Sequence, residues 1–391
     1  MPTIPLRSSG LPRSGIRVVM DLAWASSEPV VRLEVGQPDA SPPDHILAAM
    51  TESIARKETG YTPNAGLPEL RTACAQKLGR INRIDCQPDQ ILVSVGSMQG
   101  LAAAVLAVAE PGDEVLVPDP GWPNYQMICR LTSLNAVPYP LRQENDFRPD
   151  FDEIEALITD RTRLVIINSP SNPLGVVWDA SVMTEWLRLA ERHELWVLSD
   201  ECYDEIVFNG EAVSPASLAG GAERVISVHS FSKTYAMTGL RVGYVSGPTE
   251  LMDAMIKMQE ALVACVNGPA QRGAIAALEG PQDFVARMCD TYHRRRNRAV
   301  TEAVELGLPH QEPNGAFYLW LPLAHTEHSS MELSERLISQ AKVAVAPGET
   351  FGLHGKGALR VSLAASEDSI VEGLRRIARW LREHGGLPPE S

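Results

Sequence analysis

Between Gln90 and Gly247 the chain repeats one pattern, a short run apolar on both faces followed by a helical or turn-rich stretch. The runs occupy 91–95, 114–117, 164–167, 195–198, 225–228 and 241–245. A strand with two apolar faces must be covered on both, which a mostly parallel sheet between helix layers provides. Helical periodicity at 101–109, 181–192 and 250–262 supplies the cover. An α/β domain is therefore expected. After about residue 285 the pattern changes to a basic helix (292–306), a strand-like stretch (315–321), a helix from 331, strands at 343–346 and 358–363, and a terminal helix at 368–383. That predicts a smaller α+β domain completed by the N-terminal segment, dividing the chain at 1–45, 46–285 and 286–391.

Charge narrows the partners. With 35 basic and 49 acidic side chains, the net −14 repels phosphate backbones and anionic lipid surfaces. Neither nucleic acid nor membrane is an expected partner, and the longest apolar stretch, 101–109, falls far short of the ~20 residues a spanning helix needs. Residues 1–15 are rich in proline, serine and arginine without an apolar core, so no secretory signal and a cytoplasmic location are expected. The six cysteines (Cys74, Cys86, Cys129, Cys202, Cys265, Cys289) form no CxxC pair. Neither a metal site nor a disulfide framework follows, and all six are expected as buried thiols. The stretches 1–13 and 41–43 and the tail from His384 read as loosely held.

In open α/β sheets ligands bind beyond the carboxyl ends of the strands. The first run leads into Gly96-Ser97-Met98 and then an apolar helix, a turn that either holds a phosphate on free backbone N–H groups or is a plain strand-to-helix turn with a serine cap. The run at 164–167 leads into Asn168-Ser169-Pro170-Ser171-Asn172-Pro173-Leu174-Gly175. Two X-Pro bonds, with room for a cis peptide, fix Asn172 either as a ligand-facing amide or as a turn residue. The next strand ends in Ser199-Asp200-Glu201-Cys202-Tyr203; a carboxylate there needs a cation or strong donors, unless it merely caps a helix. Then comes Ser230-Phe231-Ser232-Lys233, with Arg241 eight positions on. Lysines are usually solvated surface charges, but one in a small-residue loop after a buried strand can have a lowered pKa and act as a Schiff-base amine or general base.

These residues resemble those of the fold-type-I pyridoxal-phosphate enzymes, specifically the class I/II, aspartate aminotransferase-like aminotransferases. The likeness begins near Val35-Gly36-Gln37-Pro38-Asp39, continues through Tyr61-Thr62-Pro63-Asn64-Ala65-Gly66-Leu67 and Pro120-Gly121-Trp122-Pro123-Asn124-Tyr125, and reaches Gly315-Ala316-Phe317-Tyr318 and Leu359-Arg360-Val361-Ser362. It implies a large domain with a seven-stranded, mostly parallel sheet, and a cofactor, pyridoxal 5′-phosphate, held as an internal aldimine on Lys233. Lys233 would also move the proton between Cα and the cofactor. Asp200 would pair with the ring nitrogen, Asn172 and Tyr203 with the 3′ oxygen, and Trp122 would stack on the ring. The phosphate would be held by the N–H groups near Gly96, Ser97 and Met98, by Ser230 and Ser232, by Arg241, and by Tyr61 of a second subunit. Met98 stands where the family usually has a hydroxyl residue. Arg360, Gly36 and Asn172 would take the substrate α-carboxylate.

The resemblance thus implies a homodimer that moves an amino group between an L-amino acid and a 2-oxo acid by ping-pong kinetics, with the stretch 265–268 also reaching the other subunit. A carbon-sulfur lyase acting by β-elimination, or a related reaction, would use the same cofactor core. A non-catalytic ligand sensor with an added DNA-binding domain finds no room before Val35 and is opposed by the charge. The N-terminal segment is expected to border the side-chain pocket, with Ile16 favouring an apolar substrate and Arg17 and Trp24 as further candidates; Arg17 reads equally as a solvated charge.

Overall fold

The computed structural model describes residues 4–323 and 328–387. Its strands, in chain order, are β1 (Val31–Arg32), β2 (Ile91–Ser94), β3 (Glu114–Asp119), β4 (Asn135–Pro140), β5 (Thr162–Asn168), β6 (Trp196–Asp200), β7 (Val225–Ser230), β8 (Gly243–Ser246), β9 (Tyr318–Pro322), β10 (Val343–Ala344), β11 (Ala346–Pro347) and β12 (Ala358–Ser362). Seven of them form one sheet in the order β2-β8-β7-β6-β5-β3-β4. Only β8 runs against its neighbours, β2 and β7; the other four pairings are parallel.

Six strands coincide with the two-faced apolar runs. The seventh, β4, gave no such signal because it is an uncovered edge: its first half is partly or fully exposed and it carries Pro138 and Pro140, whereas the other edge, β2, is buried under the helix Pro68–Lys77. Proline lacks the N–H that an interior ladder needs and is tolerated at an edge.

Both faces of the sheet are covered. On one side Leu101 and Val105 of the helix Gly96–Val108 meet Met252 and Met255 of Thr249–Leu262 over Leu92 and Val228. On the other, Trp186 and Leu187 of Ala180–Arg192 pack with Tyr139, Trp178 and Val197. Asp179 starts that helix, its carboxylate accepting from Ser181 and Val182 N–H. Helix Gly96–Val108 starts five residues before the periodic apolar stretch, since its first turn is small and polar.

The C-terminal part is built on the antiparallel sheet β11-β12-β9 and the helices Asp283–Glu305 and Glu367–Glu383. The expected strand at 343–346 is divided: Val343 pairs in parallel with Val31, whereas Ala346 pairs with Arg360. Through β1 the N-terminal segment joins this part of the molecule. The stretch expected to be loose before residue 13 contains the short helix Leu6–Ser9; residues 1–3 and 388–391 lie outside the described residues.

The cysteine expectation needs correcting. Cys74, Cys129 and Cys202 are buried, but Cys86 and Cys265, in loops, and Cys289, on the helix Asp283–Glu305, are partly exposed. All six are free thiols. Among the described residues no cluster of ligands could hold a metal ion, and no helix is long and apolar enough to cross a membrane.

A cluster of hydrogen bonds at the end of β3 is among the contacts that tie the large sheet to the C-terminal part. Asp119, at the end of β3, accepts hydrogen bonds from Leu353 N–H (3.1 Å) and His354 N–H (3.0 Å), while Gly121 N–H donates to Phe351 carbonyl (2.7 Å). Gly352 has φ +133, and a Cβ there would fall 2.0 Å from Asp119 Oδ1, so only glycine fits.

Candidate active site

Asp200 closes β6 and is almost wholly buried. The Tyr125 hydroxyl donates to its Oδ2 (2.6 Å), Cys202 N–H donates to its Oδ1 (3.3 Å), and no cation among the described residues pairs with it. Burial pushes its pKa up, against the pull of these donors. A carboxylate so placed is stabilised by any cation that enters beside it.

Lys233 lies in the one-turn helix Phe231–Thr234, which Ser230 begins by accepting from Ser232 N–H (3.1 Å). Its Nζ donates to the Gly36 carbonyl (2.5 Å). Burial brings its pKa down to about 8, and the charges of Arg360 and Arg241 push the same way. Roughly one chain in ten then carries a neutral amine at pH 7.

Asn172 is fixed by its neighbour strand. Asn168, the last residue of β5, donates to the Asp200 carbonyl (2.9 Å) and accepts from Asn172 N–H (2.8 Å). Both the Ser169-Pro170 and Asn172-Pro173 bonds are cis, as the sequence allowed. The Asn172 side-chain oxygen accepts from Arg360 Nη1 (2.9 Å), and Arg360 Nη2 donates to the Glu34 carbonyl (2.5 Å). Arg360 is 1% exposed, lies 4.3 Å from the Tyr318 ring centroid and 5.0 Å from that of Phe351, and leaves its Nε without a partner. Burial draws its pKa down. No carboxylate forms an ion pair with it among the described residues; the Glu34 carboxylate is taken by Arg32. A buried guanidinium held only by neutral oxygens is a place for an anion.

A second anion cradle lies at the amino end of helix Gly96–Val108, whose first N–H groups have no side-chain cap. Gly96 has φ +66, and a Cβ there would fall 2.4 Å from Arg241 Nη2; a Cβ on Gly243 would fall 2.7 Å from Ser97 N. The Arg241 fork is thus laid against the helix end, with only the Thr238 carbonyl (2.8 Å) as its hydrogen-bond partner. Free amides, the positive helix end and a guanidinium together suit an oxyanion. The Met98 side chain contributes no donor; its sulfur accepts from Asn124 (3.2 Å).

The other expected residues divide. Tyr203 is buried, but its hydroxyl is shared with that of Tyr318 at 2.7 Å. Trp122 packs edge-on against Tyr125, centroids 5.6 Å apart. Ile16 packs with the apolar layer containing Trp320 and Phe351. Arg17 is exposed and reaches only the Met20 sulfur (3.7 Å), Trp24 is exposed beneath Arg32, and Tyr61 is 93% exposed. These three take no part in the cluster within one chain.

Tyr125 and Tyr318 belong to the site, yet the sequence assigned them no role. Both stand in the stretches Pro120–Tyr125 and Gly315–Tyr318 that carried the resemblance, but their contacts span 75 and 115 residues, and no local signal records them.

An uncompensated carboxylate, a buried arginine open to a carboxylate, and an oxyanion cradle around one lysine fit a phosphate-bearing cationic ring together with an amino acid. The comparisons agree. A family model described as aminotransferase class I and II matches residues 28–377. The chain is 38% identical to an aspartate aminotransferase of Pyrococcus abyssi, over 95% of this chain and 96% of that one. It is 37% identical to aromatic-amino-acid aminotransferase 2 of Thermococcus litoralis, with the same coverage. The solved structure of Thermus thermophilus aspartate aminotransferase with maleate superposes with a TM-score of 0.92 at 33% identity, covering 97% of this chain and all of that one. The chain belongs to the aminotransferase class I and II family, and it is a pyridoxal-phosphate-dependent aminotransferase.

Proposed function

We propose that this chain moves an amino group between an L-amino acid and a 2-oxo acid in two half-reactions, with Lys233 holding the cofactor covalently. One observation carries the reading: Lys233 Nζ and Arg360 Nη2 are both bonded to carbonyls of a single three-residue stretch, at Gly36 and Glu34. The reactive amine and the carboxylate clamp therefore stand beside the same short backbone stretch, as groups that must reach the Cα and the carboxylate of one amino acid have to.

When bound, pyridoxal phosphate supplies the electron sink for the pair left by the Cα–H bond. Asp200 would hold the ring nitrogen, whose positive charge would answer its buried carboxylate. Tyr203 and Asn172 would hold the 3′ oxygen, with Trp122 against the ring. Gly96, Ser97 and Met98 N–H groups, Ser230, Ser232 and Arg241 would hold the phosphate. Arg360 and Asn172, with Gly36 beside them, bind the substrate carboxylate. Lys233, whose amine is brought by burial to a pKa of about 8, would serve as the base that takes the Cα proton of the bound substrate.

Supporting a homodimer are Tyr61, which finds nothing to bind in its own chain, and the stretch 265–268; both would reach the other subunit's site. The divisions 1–45, 46–285 and 286–391 would separate the cofactor-binding domain from the part that carries Arg360. We place the protein in the cytoplasm. Ile16, packed against the apolar cluster that contains Trp320, favours apolar or aromatic donors.

The test is an absorbance spectrum with pyridoxal phosphate, followed by a panel of amino acids without oxo acid. A visible band that a donor bleaches, and that 2-oxoglutarate or pyruvate restores, is expected. Release of pyruvate and ammonia without an acceptor would favour the lyase instead.

A further inference from the structure

We infer that Tyr318 is a positioning residue of this site: its hydroxyl donates into the Tyr203 oxygen and so strengthens the hydrogen bond that Tyr203 gives to the cofactor's 3′ oxygen. The inference rests on the reading above and adds a residue to it.

Tyr318 opens β9 and is buried on all sides. Its hydroxyl has a single hydrogen-bond partner, the Tyr203 hydroxyl at 2.7 Å. On the other side it presses against Gly36, where a Cβ would fall 1.9 Å from the phenolic oxygen. The oxygen is thus pinned between one phenol and a backbone without a side chain, and the same backbone accepts from Lys233. Arg360 lies over the ring, and Phe317 closes its flank at 4.9 Å between centroids.

Two phenols facing each other have two protons and form one bond between them. With nothing beyond the pair, either can donate. Once an anionic oxygen stands beside Tyr203, only one order uses both protons: Tyr318 gives to Tyr203, and Tyr203 gives to the anion. Donation into a hydroxyl oxygen polarises its own O–H, so the second bond is stronger than it would be alone. The charges favour this order. Burial raises both phenols, and the Arg360 charge draws both back down, but it weighs more at Tyr318, whose ring lies under the guanidinium, and so makes Tyr318 the readier donor.

A strong donor stabilises the anionic 3′ oxygen, and the visible band of the bound cofactor then changes at a lower pH. The experiment is a pH titration of that band in the cofactor-loaded protein. Tyr318→Phe, which keeps the ring beneath Arg360, should raise the midpoint by roughly 0.3 of a pH unit, about two-fold in the proton equilibrium. Tyr203→Phe should raise it further, and adding Tyr318→Phe to that variant should change nothing more. Placing 3-fluorotyrosine at position 318, a more acidic donor of nearly the same size, should move the midpoint down, and it answers the question even where Tyr318→Phe folds poorly. The KM for the amino donor should stay within about two-fold in both.

A midpoint unmoved by Tyr318→Phe or by 3-fluorotyrosine, or an equal shift with and without the Tyr203 hydroxyl, overturns the inference and leaves the aminotransferase reading standing. A wild-type protein that gives no visible band with pyridoxal phosphate brings down both.

Discussion

At the strand ends, Asp200, Asn172 and Arg360 are buried and bound through Asn168 and the 34–36 backbone into one network with Lys233, whereas at the rim Tyr61, Arg17 and Trp24 stand in solvent with almost nothing to hold them. The inner group is ordered before any ligand arrives, so its entropy cost falls on folding and not on catalysis. The rim has no such order. The groups needed for every amino acid are thus fixed within one chain, and those that meet a variable side chain or a second subunit are left outside it.

Removing an inner residue should cost far more than removing an outer one. Lys233→Ala should lower kcat by about 10⁴ or more while circular dichroism stays unchanged, since one residue does two jobs. Retention of ordinary turnover would sink the central assignment. Asp200→Ala should lower kcat by roughly 10²–10³ while the phosphate cradle keeps cofactor bound, measured by single turnovers at saturating cofactor.

The buried Lys233 amine also leaves a mark on the cofactor-free protein. Its pKa is near 8 when folded and about 10.5 when unfolded, so between those values the unfolded chain holds the extra proton. Stability should therefore rise with pH across that window, by at most about 3 kcal/mol, and Lys233→Ala should flatten the rise in urea titrations. Arg360→Met should raise the KM for the amino donor about 10- to 100-fold and change cofactor affinity little. Equal losses in both would show that Arg360 does not serve the carboxylate. Tyr61→Phe, the rim residue, should weaken cofactor binding only about 3- to 10-fold, and only in the dimer. If Tyr61→Phe matched Asp200→Ala, the division between inside and rim would be wrong.

The same division describes what could be read from sequence. Strands β2, β5, β6 and β7 are apolar on both faces and each leads directly into chemistry, so Asp200, Asn172, Ser230 and Lys233 announce themselves by position. Arg360 does not; a strand arginine is ordinarily solvent-facing, and only its surroundings in the fold bury it. Tyr125 and Tyr318 act through partners far along the chain, which no local pattern encodes. Strand β4 was invisible because an uncovered edge needs no apolar run. At the rim the single chain adds little, since among the described residues Tyr61 has no hydrogen-bond partner, Arg17 reaches only the Met20 sulfur and Trp24 meets only Arg32.

The contact between Asp119 and the 352–354 amides bears on how such enzymes can be recombined. Its halves lie 234 residues apart, one in the sheet and the other beside Phe351, which lies against Arg360. A chimera joining the first 285 residues of one family member to the remainder of another inherits the two halves from different parents. An aspartate at position 119 then demands a glycine at 352, so a donor with any larger residue there would misplace the loop and with it the arginine's apolar support. Parents for domain exchange are best matched at this pair before any residue of the pocket is considered.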